Sequence, residues 1–312
     1  MRLFFAVCLA SILSGNLAAQ VALPLQTVEV KLLHQRILSL EAADKGGWVI
    51  IRDLAGRVLR KVQAGAGVDG IRAAEIKDFT LASDRTLIIS LGVAFPIGRS
   101  ARIMAFYPEK GEPRFLTLDD VICLNVVSDP ATGVWCLGPG LEDSLLHRVS
   151  GPADGPWTLL LRRKIRVLAN DGGETRQAYE TGQCGVPALF IPEPGRLLAF
   201  LPNTLALHDI DLRTGVHSEI PIPVEPNGRS LLSFATRGEE IYGLLPVLPP
   251  GQTDRFTTQY TLYRSLARWT RVPSAPAWPR GTTLAGIEGG TLYLWNRLKS
   301  RLETAPLQRL KP

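Results

Sequence analysis

The stretch Leu207-His-Asp-Ile-Asp-Leu-Arg-Thr-Gly215, continued by Val216-His-Ser-Glu-Ile220, shows how this chain is built. Apolar and polar residues alternate, a polar turn ends in glycine, and a further strand-like run follows. Alternation with a period of two predicts a β-strand that is buried on one face. Glycine at the end of the turn supplies the positive φ that closes it. The stretch therefore predicts a β-hairpin.

Similar hairpins recur along the chain at a nearly constant interval. In each copy an apolar strand runs into a turn of Asp, Glu, Gly or Arg, and a second apolar strand leaves it. The turn residues are Asp44, Asp84, Asp129, Glu193, Gly238 and Glu288, which are 40, 45, 64, 45 and 50 residues apart. The strands that leave these turns are Trp48–Ile51, Thr86–Ser90, Gly133–Leu137, Arg196–Phe200, Glu240–Leu244 and Thr291–Trp295. All spacings but one lie in the range typical of propeller blades, about 40 to 50 residues.

The repeat predicts an all-β fold, a β-propeller of about six four-stranded blades; five or seven blades would also fit. A four-stranded unit cannot bury both of its faces alone, whereas units stacked radially cover one another. Both end units contain about three predicted strands, and the segment Leu23–Leu33 adds one more. We expect an N-terminal strand to complete the last blade, because that would close the ring and remove its two open edges.

The run Leu207–Ile220 resembles the third strand, Asp-Gly turn and fourth strand of many bacterial β-propeller blades. This resemblance covers nearly the whole chain after the first residues, but it is a resemblance of architecture. It places the chain in the broad class that contains NHL-type and six-bladed secreted propellers. The chain lacks the Trp-Asp dipeptide of WD40 blades. No functional residue is carried over, because function does not follow from fold.

Residues 1–19 have the pattern of a secretory signal peptide. Arg2 is followed by an apolar stretch, Leu3–Leu13, and later by the small residues Ala18 and Ala19. This stretch is too short for a membrane helix, which needs about 20 apolar residues. The alternative is a buried N-terminal strand. We expect a secreted or periplasmic protein, with no membrane span in its mature chain.

The remaining residues, 20–312, are interpreted as a single β-propeller domain. Its one long interval predicts an insertion or long loop at about residues 162–185, since the repeat resumes in phase afterwards. A tandem of β-sandwiches would instead place a linker there, and a β-helix would show much shorter strand periods. We expect the domain to be a monomer.

The charges of the chain are scattered and give no sign of a nucleic-acid partner. Removal of residues 1–19 leaves 34 basic against 29 acidic residues, a net charge of +5. The densest basic run, Arg162-Arg163-Lys164, has no aromatic residues around it for stacking on bases. Such a run is typical of a solvated strand end.

Three cysteines follow the predicted leader. Cys123 and Cys136 lie on two predicted strands that flank the turn at 128–133, so a hairpin would bring them nearly opposite each other. In an oxidising compartment they could form a disulfide; otherwise they would pack as small apolar core residues. Cys184 has no partner that the sequence identifies.

Three sequence patterns resemble cofactor-binding or metal-binding motifs, and none of the three is complete. The stretch Gly65-Ala-Gly-Val-Asp-Gly70 has the letters of a dinucleotide-binding loop but lacks the alternating strands and helices of that fold. Asp209 and Asp211 suggest a calcium loop, but Ile220 occupies the position of its final glutamate. The four histidines, His34, His147, His208 and His217, lack metal-ligand spacing. We expect no cofactor and no metal.

Candidate binding residues lie on the loops that join blades and on the loops that join second to third strands. Propellers usually bind ligands on these loops, and loops on a rigid scaffold concentrate binding residues. The candidates are Asp69, Arg72, Asp78, Arg99, Asp119, Asp120, Asp254 and Arg255, with Glu75 as a further charged residue. Each could equally be an ordinary solvated charge.

The lack of a recognisable catalytic motif favours a non-enzymatic propeller that binds a protein, peptide or glycan. The alternative is a hydrolase or lyase with a carboxylate or cation site at the mouth of the channel. That alternative would gain if three or more acidic loop residues met at one point.

Overall fold

The structure is a computed structural model, and it consists of six antiparallel sheets arranged in a ring. It describes residues 20–43, 46–118, 121, 123–139, 143–150, 158–169, 188–200, 206–222, 233–247, 259–265, 269–272, 275–279 and 281–307. Each sheet is one blade, so the prediction of an all-β, six-bladed propeller is confirmed. Within these residues the only helix is a short 3-10 turn, Pro96–Gly98. No described helix has the length and hydropathy needed to cross a membrane.

The first described strand, β1 (Val21–Ala22), precedes three blades of four consecutive strands each. Blade 1 consists of β2 (Thr27–Leu33), β3 (Arg36–Ala43), β4 (Gly46–Arg52) and β5 (Val58–Gln63). Blade 2 consists of β6 (Ala73–Leu81), β7 (Leu87–Ala94), β8 (Ser100–Tyr107) and β9 (Arg114–Thr117). Blade 3 consists of β10 (Asn125–Asp129), β11 (Gly133–Pro139), β12 (Asp143–Ser150) and β13 (Thr158–Ala169).

The second half of the ring has the same arrangement, except that blade 5 has an additional strand and blade 6 takes its outer strand from the N-terminus. Blade 4 consists of β14 (Ala188–Glu193), β15 (Arg196–Phe200), β16 (Ala206–Asp211) and β17 (His217–Pro221). Blade 5 consists of β18 (Ser233–Arg237), β19 (Glu240–Val247), β20 (Gln259–Ser265) and β21 (Trp269–Arg271), and β22 (Trp278–Pro279) also pairs with β20. Blade 6 consists of β23 (Thr282–Glu288), β24 (Thr291–Asn296), β25 (Arg301–Pro306) and β1.

The first strands of the blades lie nearest the axis of the ring, since first strands of neighbouring blades contact one another. Successive strands run in opposite directions. The loops that join blades therefore emerge on the same side as the loops that join second to third strands. We call this side the loop face.

The ring is closed by the N-terminal strand, as the sequence predicts, but by other residues than expected. Val21 and Ala22 pair with Leu302 and Arg301 of the last blade. The segment expected to supply this strand, Leu23–Leu33, instead contributes β2, the first strand of blade 1. Closure therefore depends on a very short strand at the outer edge of blade 6.

The first blade has four strands of its own, which corrects the prediction of three. The predicted turn residue Asp44 lies outside the described residues, between the second strand, β3, and the third strand, β4, so Trp48–Ile51 belongs to a third strand and not to a second. The first turn of the blade is His34–Gln35, where φ is +48° and +58°. Two left-handed residues in succession define the tight turn of a hairpin, usually marked by Asn-Gly or Asp-Gly. Because His-Gln is neither of these pairs, the sequence does not predict this turn.

Six apolar clusters fill the six interfaces between blades. On β15, Leu197 and Ala199 pack against blade 3, whereas Leu198 and Phe200 pack against blade 5. Both faces of such a strand are therefore buried, which explains why the second strands are continuous apolar runs with no alternation. Burial of this apolar surface is the main favourable contribution to folding.

The hairpin at Leu207–Ile220 forms the third and fourth strands of blade 4, as predicted. Its turn is closed by Gly215, with φ of +77°. Asp211 Oδ1 accepts hydrogen bonds from the backbone N–H groups of Arg213 and Thr214, both at 2.8 Å. These backbone hydrogen bonds lower the pKa of Asp211. The acid therefore caps a turn, the alternative to a calcium loop.

The predicted insertion at 162–185 lies only partly within the described residues. Residues 162–169 form the second part of β13, the outer strand of blade 3. Residues 170–185 fall in a gap of the description.

Candidate functional site

A cleft of about 600 Å³ lies at the loop-face end of blade 2. The start of β6, the end of β7 and the start of β8 form most of its lining, and Leu118 and Cys123 extend it toward blade 3. Its volume is within the range of small-ligand sites, about 300 to 1,000 Å³.

The floor of the cleft is a row of residues that runs across the sheet. Glu75 of β6 is the cross-strand partner of Gly92, and Gly92 is the partner of Arg102. The backbone N–H of Leu118 donates to the carbonyl of Arg102 and extends the row. Cross-strand partners share one face of a sheet. Met104 and Leu118, which share this face, pack in the cluster between blades 2 and 3, so the row faces blade 3.

Gly92 leaves the middle of this row without a side chain. A Cβ at this position would lie 3.3 Å from Cε of Lys77, and no other atom of another residue would be within 4 Å. Since φ at Gly92 is not positive, the backbone conformation does not require glycine here. The residue therefore acts by leaving space, and the side chain of Lys77 uses part of it.

The charges around the cleft are only partly compensated. Lys77 Nζ lies 2.5 Å from Glu75 Oε2, so these two side chains form an ion pair. Arg102 is exposed and lines the cleft beyond Gly92. Among the described residues Arg102 has no ion-pair partner. The described part of the cleft therefore carries one uncompensated positive charge.

The wall toward blade 3 is held in place from both sides. Ser90 Oγ donates a hydrogen bond of 2.7 Å to the backbone carbonyl of Cys123. The structure joins Cys123 to Cys136 by a disulfide, with their Cα atoms 5.4 Å apart. The two cysteines are not directly opposite in the hairpin, because Cys136 pairs with Val126 and Cys123 precedes β10. The disulfide thus ties the loop before blade 3 to the second strand of that blade.

Asp78, a predicted site residue, lies next to the channel and joins three blades. It is buried, and its Oδ1 contacts Lys31 Nζ of blade 1 in an ion pair. Its Oδ2 accepts a hydrogen bond of 2.7 Å from the backbone N–H of Val126 in blade 3. Lys31 also donates to the carbonyl of Phe79 at 3.0 Å. Through these contacts Asp78 links blade 2 to blades 1 and 3.

Burial alone would lower the pKa of Lys31, but the carboxylates of Asp78 and Glu29 outweigh it and raise that pKa. Glu29 Oε1 lies 3.5 Å from Lys31 Nζ. Burial raises the pKa of Glu29. The three side chains, one ammonium group and two carboxylates, are thus paired with one another.

The other predicted site residues border the cleft or lie beyond the described chain. Arg72 and Arg99 immediately precede Ala73 and Ser100, which line the cleft, and both are exposed. Asp69 is exposed on the loop between blades 1 and 2. Asp119, Asp120, Asp254 and Arg255 are among the residues that the structure leaves undescribed. Of the charged loop residues singled out in the sequence, Glu75 lines the cleft.

Lys77, Gly92 and Arg102 were not singled out from the sequence. They lie within strands, where a glycine or a charge usually indicates only an exposed face. Gly92 in a strand interior is the one available signal, because such a glycine often marks the close approach of a ligand or of another backbone. The register that aligns it with Arg102 is visible only in the structure.

The three incomplete motifs have structural positions without a metal or nucleotide geometry. Gly65, Gly67 and Gly70 all have positive φ on the loop between β5 and β6, and a strand follows that loop. Asp209 receives two hydrogen bonds from Arg196, at 2.7 and 2.5 Å. The described residues contain no group of three His, Cys, Asp or Glu side chains placed to hold a metal ion.

The histidines of blade 4 are close but differ in burial. The ring centroids of His208 and His217 are 6.2 Å apart. His208 is fully buried, whereas His217 is exposed. Burial lowers the pKa of His208, the carboxylate of Glu219 opposes that change, and His217 adds to it. The two rings are therefore close, but only His217 is exposed.

Comparison with known proteins identifies similar folds only. No protein-family model and no curated protein sequence matches the chain. A luciferin-regenerating enzyme is 12% identical, with 81% of this chain and 78% of that chain covered and a TM-score of 0.45. Hydrazine synthase of Kuenenia stuttgartiensis is 13% identical, with 91% and 77% covered and a TM-score of 0.48. A Hadza microbial sialidase is 10% identical, with 94% and 67% covered and a TM-score of 0.49.

The strand order and the cleft together define the class of this protein. It is a six-bladed β-propeller, closed by its N-terminal strand, with a charged cleft at the loop-face end of blade 2.

Proposed function

We propose that this chain is an exported, non-enzymatic binding propeller that presents its loop face to a protein, peptide or glycan. The observation that carries the proposal is the cleft of blade 2, which is concave, of ligand size and lined by charged side chains. A site of this kind, with a few polar groups in a preformed hollow, is the default ligand site of a protein.

Export is supported by two independent features. The pattern at residues 1–19 is that of a signal peptide. The disulfide Cys123–Cys136 is typical of proteins in oxidising compartments such as the periplasm or the extracellular space. The same disulfide holds one wall of the cleft, so that compartment would also preserve the shape of the site.

The proposal is tested by screening the chain from residue 20 onward against an array of defined peptides and oligosaccharides. Gly92→Phe is the informative variant, because the new ring would occupy the floor of the cleft. Ala43→Phe is its matched control, since it adds the same ring at an exposed strand end on the loop face of blade 1. We expect array members that bind the native chain and Ala43→Phe but not Gly92→Phe. The proposal fails if no member binds, or if the filled cleft binds as well as the native one.

A further inference from the structure

The charge distribution of the cleft indicates which chemical group it recognises. Lys77 and Glu75 neutralise each other at 2.5 Å. Arg102 is the one lining cation left without an ion-pair partner among the described residues. A ligand that enters the cleft therefore meets a guanidinium group whose charge nothing else described compensates.

The spacing of the row leaves a gap that a ligand can fill. Glu75, Gly92 and Arg102 lie on three adjacent strands. Neighbouring strands are about 4.7 to 4.9 Å apart, so the backbones at Glu75 and Arg102 stand roughly 10 Å from each other. Between them Gly92 presents bare backbone. A group that lies over Gly92 therefore meets the side chain of Lys77 on one side and approaches Arg102 on the other.

The guanidinium group favours a carboxylate as its partner. Its planar fork of N–H donors matches the two oxygens of a carboxylate and can bind both at once. Lysine, a point charge, has no such preference, and the lysine of this cleft is already paired. The geometry therefore favours a planar, two-oxygen anion over a simple negative charge.

The rest of the lining favours a peptide over a sugar as the carrier of that carboxylate. Small side chains lie beside the row on the same face, namely those of Ala73, Ala94 and Ser100. They permit another main chain to come close to the sheet, as glycine does in a strand interior. The described lining residues include no aromatic side chain, so a sugar ring would find no flat apolar surface on which to stack.

We propose that the cleft binds an extended peptide segment and holds its carboxylate on Arg102, an inference that rests on the binding function proposed above. The carboxylate could be a side chain or the C-terminus of the peptide. Gly92 provides the floor over which the peptide backbone passes.

Four defined probes test the proposal by calorimetric titration of the chain from residue 20 onward. They are acetylated tetra-alanine with a free C-terminus, the same peptide as its amide, an acetylated alanine peptide amide with one internal glutamate, and trigalacturonic acid. We expect the amide without glutamate to bind at least tenfold more weakly than the better carboxylate peptide. The two carboxylate peptides distinguish a terminal from a side-chain carboxylate.

Arg102→Gln supplies the second arm of the test, and Arg99→Gln is its matched control. Both arginines are exposed near the same end of blade 2, and both substitutions remove one positive charge. A hydrogen-bonded ion pair contributes about 1.5 to 3 kcal/mol, so we expect Arg102→Gln to weaken binding about 10- to 100-fold. The control should change affinity less than about twofold, since a solvated charge outside the lining acts mainly through screened electrostatics.

Three results would overturn the inference. They are equal binding of amide and carboxylate peptides, equal loss in Arg102→Gln and Arg99→Gln, and binding of trigalacturonic acid alone. If array ligands still require an open cleft while Arg102→Gln has no effect, the carboxylate inference fails and the proposed binding function stands. If nothing binds on the array or in these titrations, both fail.

Discussion

Two interfaces of the ring share one architecture but differ in how completely they are packed. They are the interface between blades 6 and 1 and the interface between blades 2 and 3. The first is packed by Ile37, Trp295 and their apolar neighbours. The second is apolar around Met104 but opens at the loop face into the cleft. The difference shows that a propeller can leave one interface incomplete without losing its ring, because each interface has a separate apolar cluster.

The closed interface also buries an ion pair. Ile37, Ser39 and Glu41 alternate on β3 and share the face toward blade 6, and Arg52 is the cross-strand partner of Ile37. Arg52 contacts Ser39 Oγ and lies 2.7 Å from Glu41 Oε1, with both charged side chains under a tenth exposed. In the open interface the corresponding charges, Lys77 and Arg102, reach solvent. The charged side chains are thus buried and paired at the interface between blades 6 and 1, whereas those at the cleft reach solvent and can contact a ligand.

The largest expected effect comes from breaking the buried pair. Arg52→Ala should destabilise the fold by about 3 to 5 kcal/mol, because Glu41 would remain buried without a partner. The double variant Arg52→Met with Glu41→Leu should recover much of the loss. Urea unfolding measures both. Arg57→Ala, which removes an exposed arginine from its ion pair with Asp53, is the control and should change little. Equal effects of Arg52→Ala and Arg57→Ala would contradict the assignment.

The second effect concerns the wall of the open interface. Replacing Cys123 and Cys136 together by Ala should cost about 3 kcal/mol, as expected for a disulfide that closes a short loop. It should also weaken binding in the cleft, since Cys123 forms part of its lining. Unfolding with and without a reductant checks this: the native chain should lose stability on reduction and the double variant should not. Unchanged stability of the native chain after full reduction would refute the prediction.

The third effect compares one glycine from each interface. A Cβ on Gly286 would lie 2.7 Å from Cβ of Leu32 across the closed interface, whereas one on Gly92 meets only Lys77 Cε at 3.3 Å. Gly286→Ala should cost about 1 to 3 kcal/mol through overpacking, to which the positive φ of +155° adds backbone strain. Gly92→Ala should stay within about 0.5 kcal/mol, as for most surface changes. Similar costs for the two, measured by thermal unfolding, would mean that the interfaces do not differ in packing.

The smallest effect is a pH dependence at a third interface. His208 shares a face with Ile210, which packs between blades 3 and 4. Burial lowers its pKa below the ordinary value of 6.5. As the pH falls below that value the unfolded chain binds the proton first, so stability decreases, by at most about 1.4 kcal/mol per pH unit. Above it, His208 adds no slope.

Unfolding curves between pH 5 and 8 check this dependence. His208→Gln should flatten the decline at low pH, and the exposed His217→Gln should not. A steeper or unchanged decline in His208→Gln would show that another group is responsible.

The sequence predicts the architecture well because the fold is a repeat of local hairpins. The run Arg196–Phe200 is apolar throughout since both faces of the strand are buried, and the hairpin at Leu207–Ile220 has turn residues that the backbone requires. The prediction of three strands for the first blade was wrong because His34 and Gln35 adopt positive φ without glycine or asparagine. Local chemistry predicts a turn only where the turn uses its usual residues.

The site is harder to predict because it depends on register and on contacts between distant segments. The sequence alone suggests that Asp78 is an unpaired acid at the start of a strand. In the structure it pairs with Lys31, which is 47 residues away in the chain. Arg102 acquires its position only when β8 aligns with Gly92 of β7. A single sequence contains neither relation, so it does not predict that Lys77, Gly92 and Arg102 line the cleft.

Hydrogen–deuterium exchange with a ligand from the array tests the central claim, that the incomplete interface at blade 2 is the binding site. We predict slower exchange at residues 73–77, 90–94 and 100–102 when the ligand is added, and no change in β23 or β24 of blade 6. Protection confined to blade 6, or spread equally over all blades, would contradict the claim.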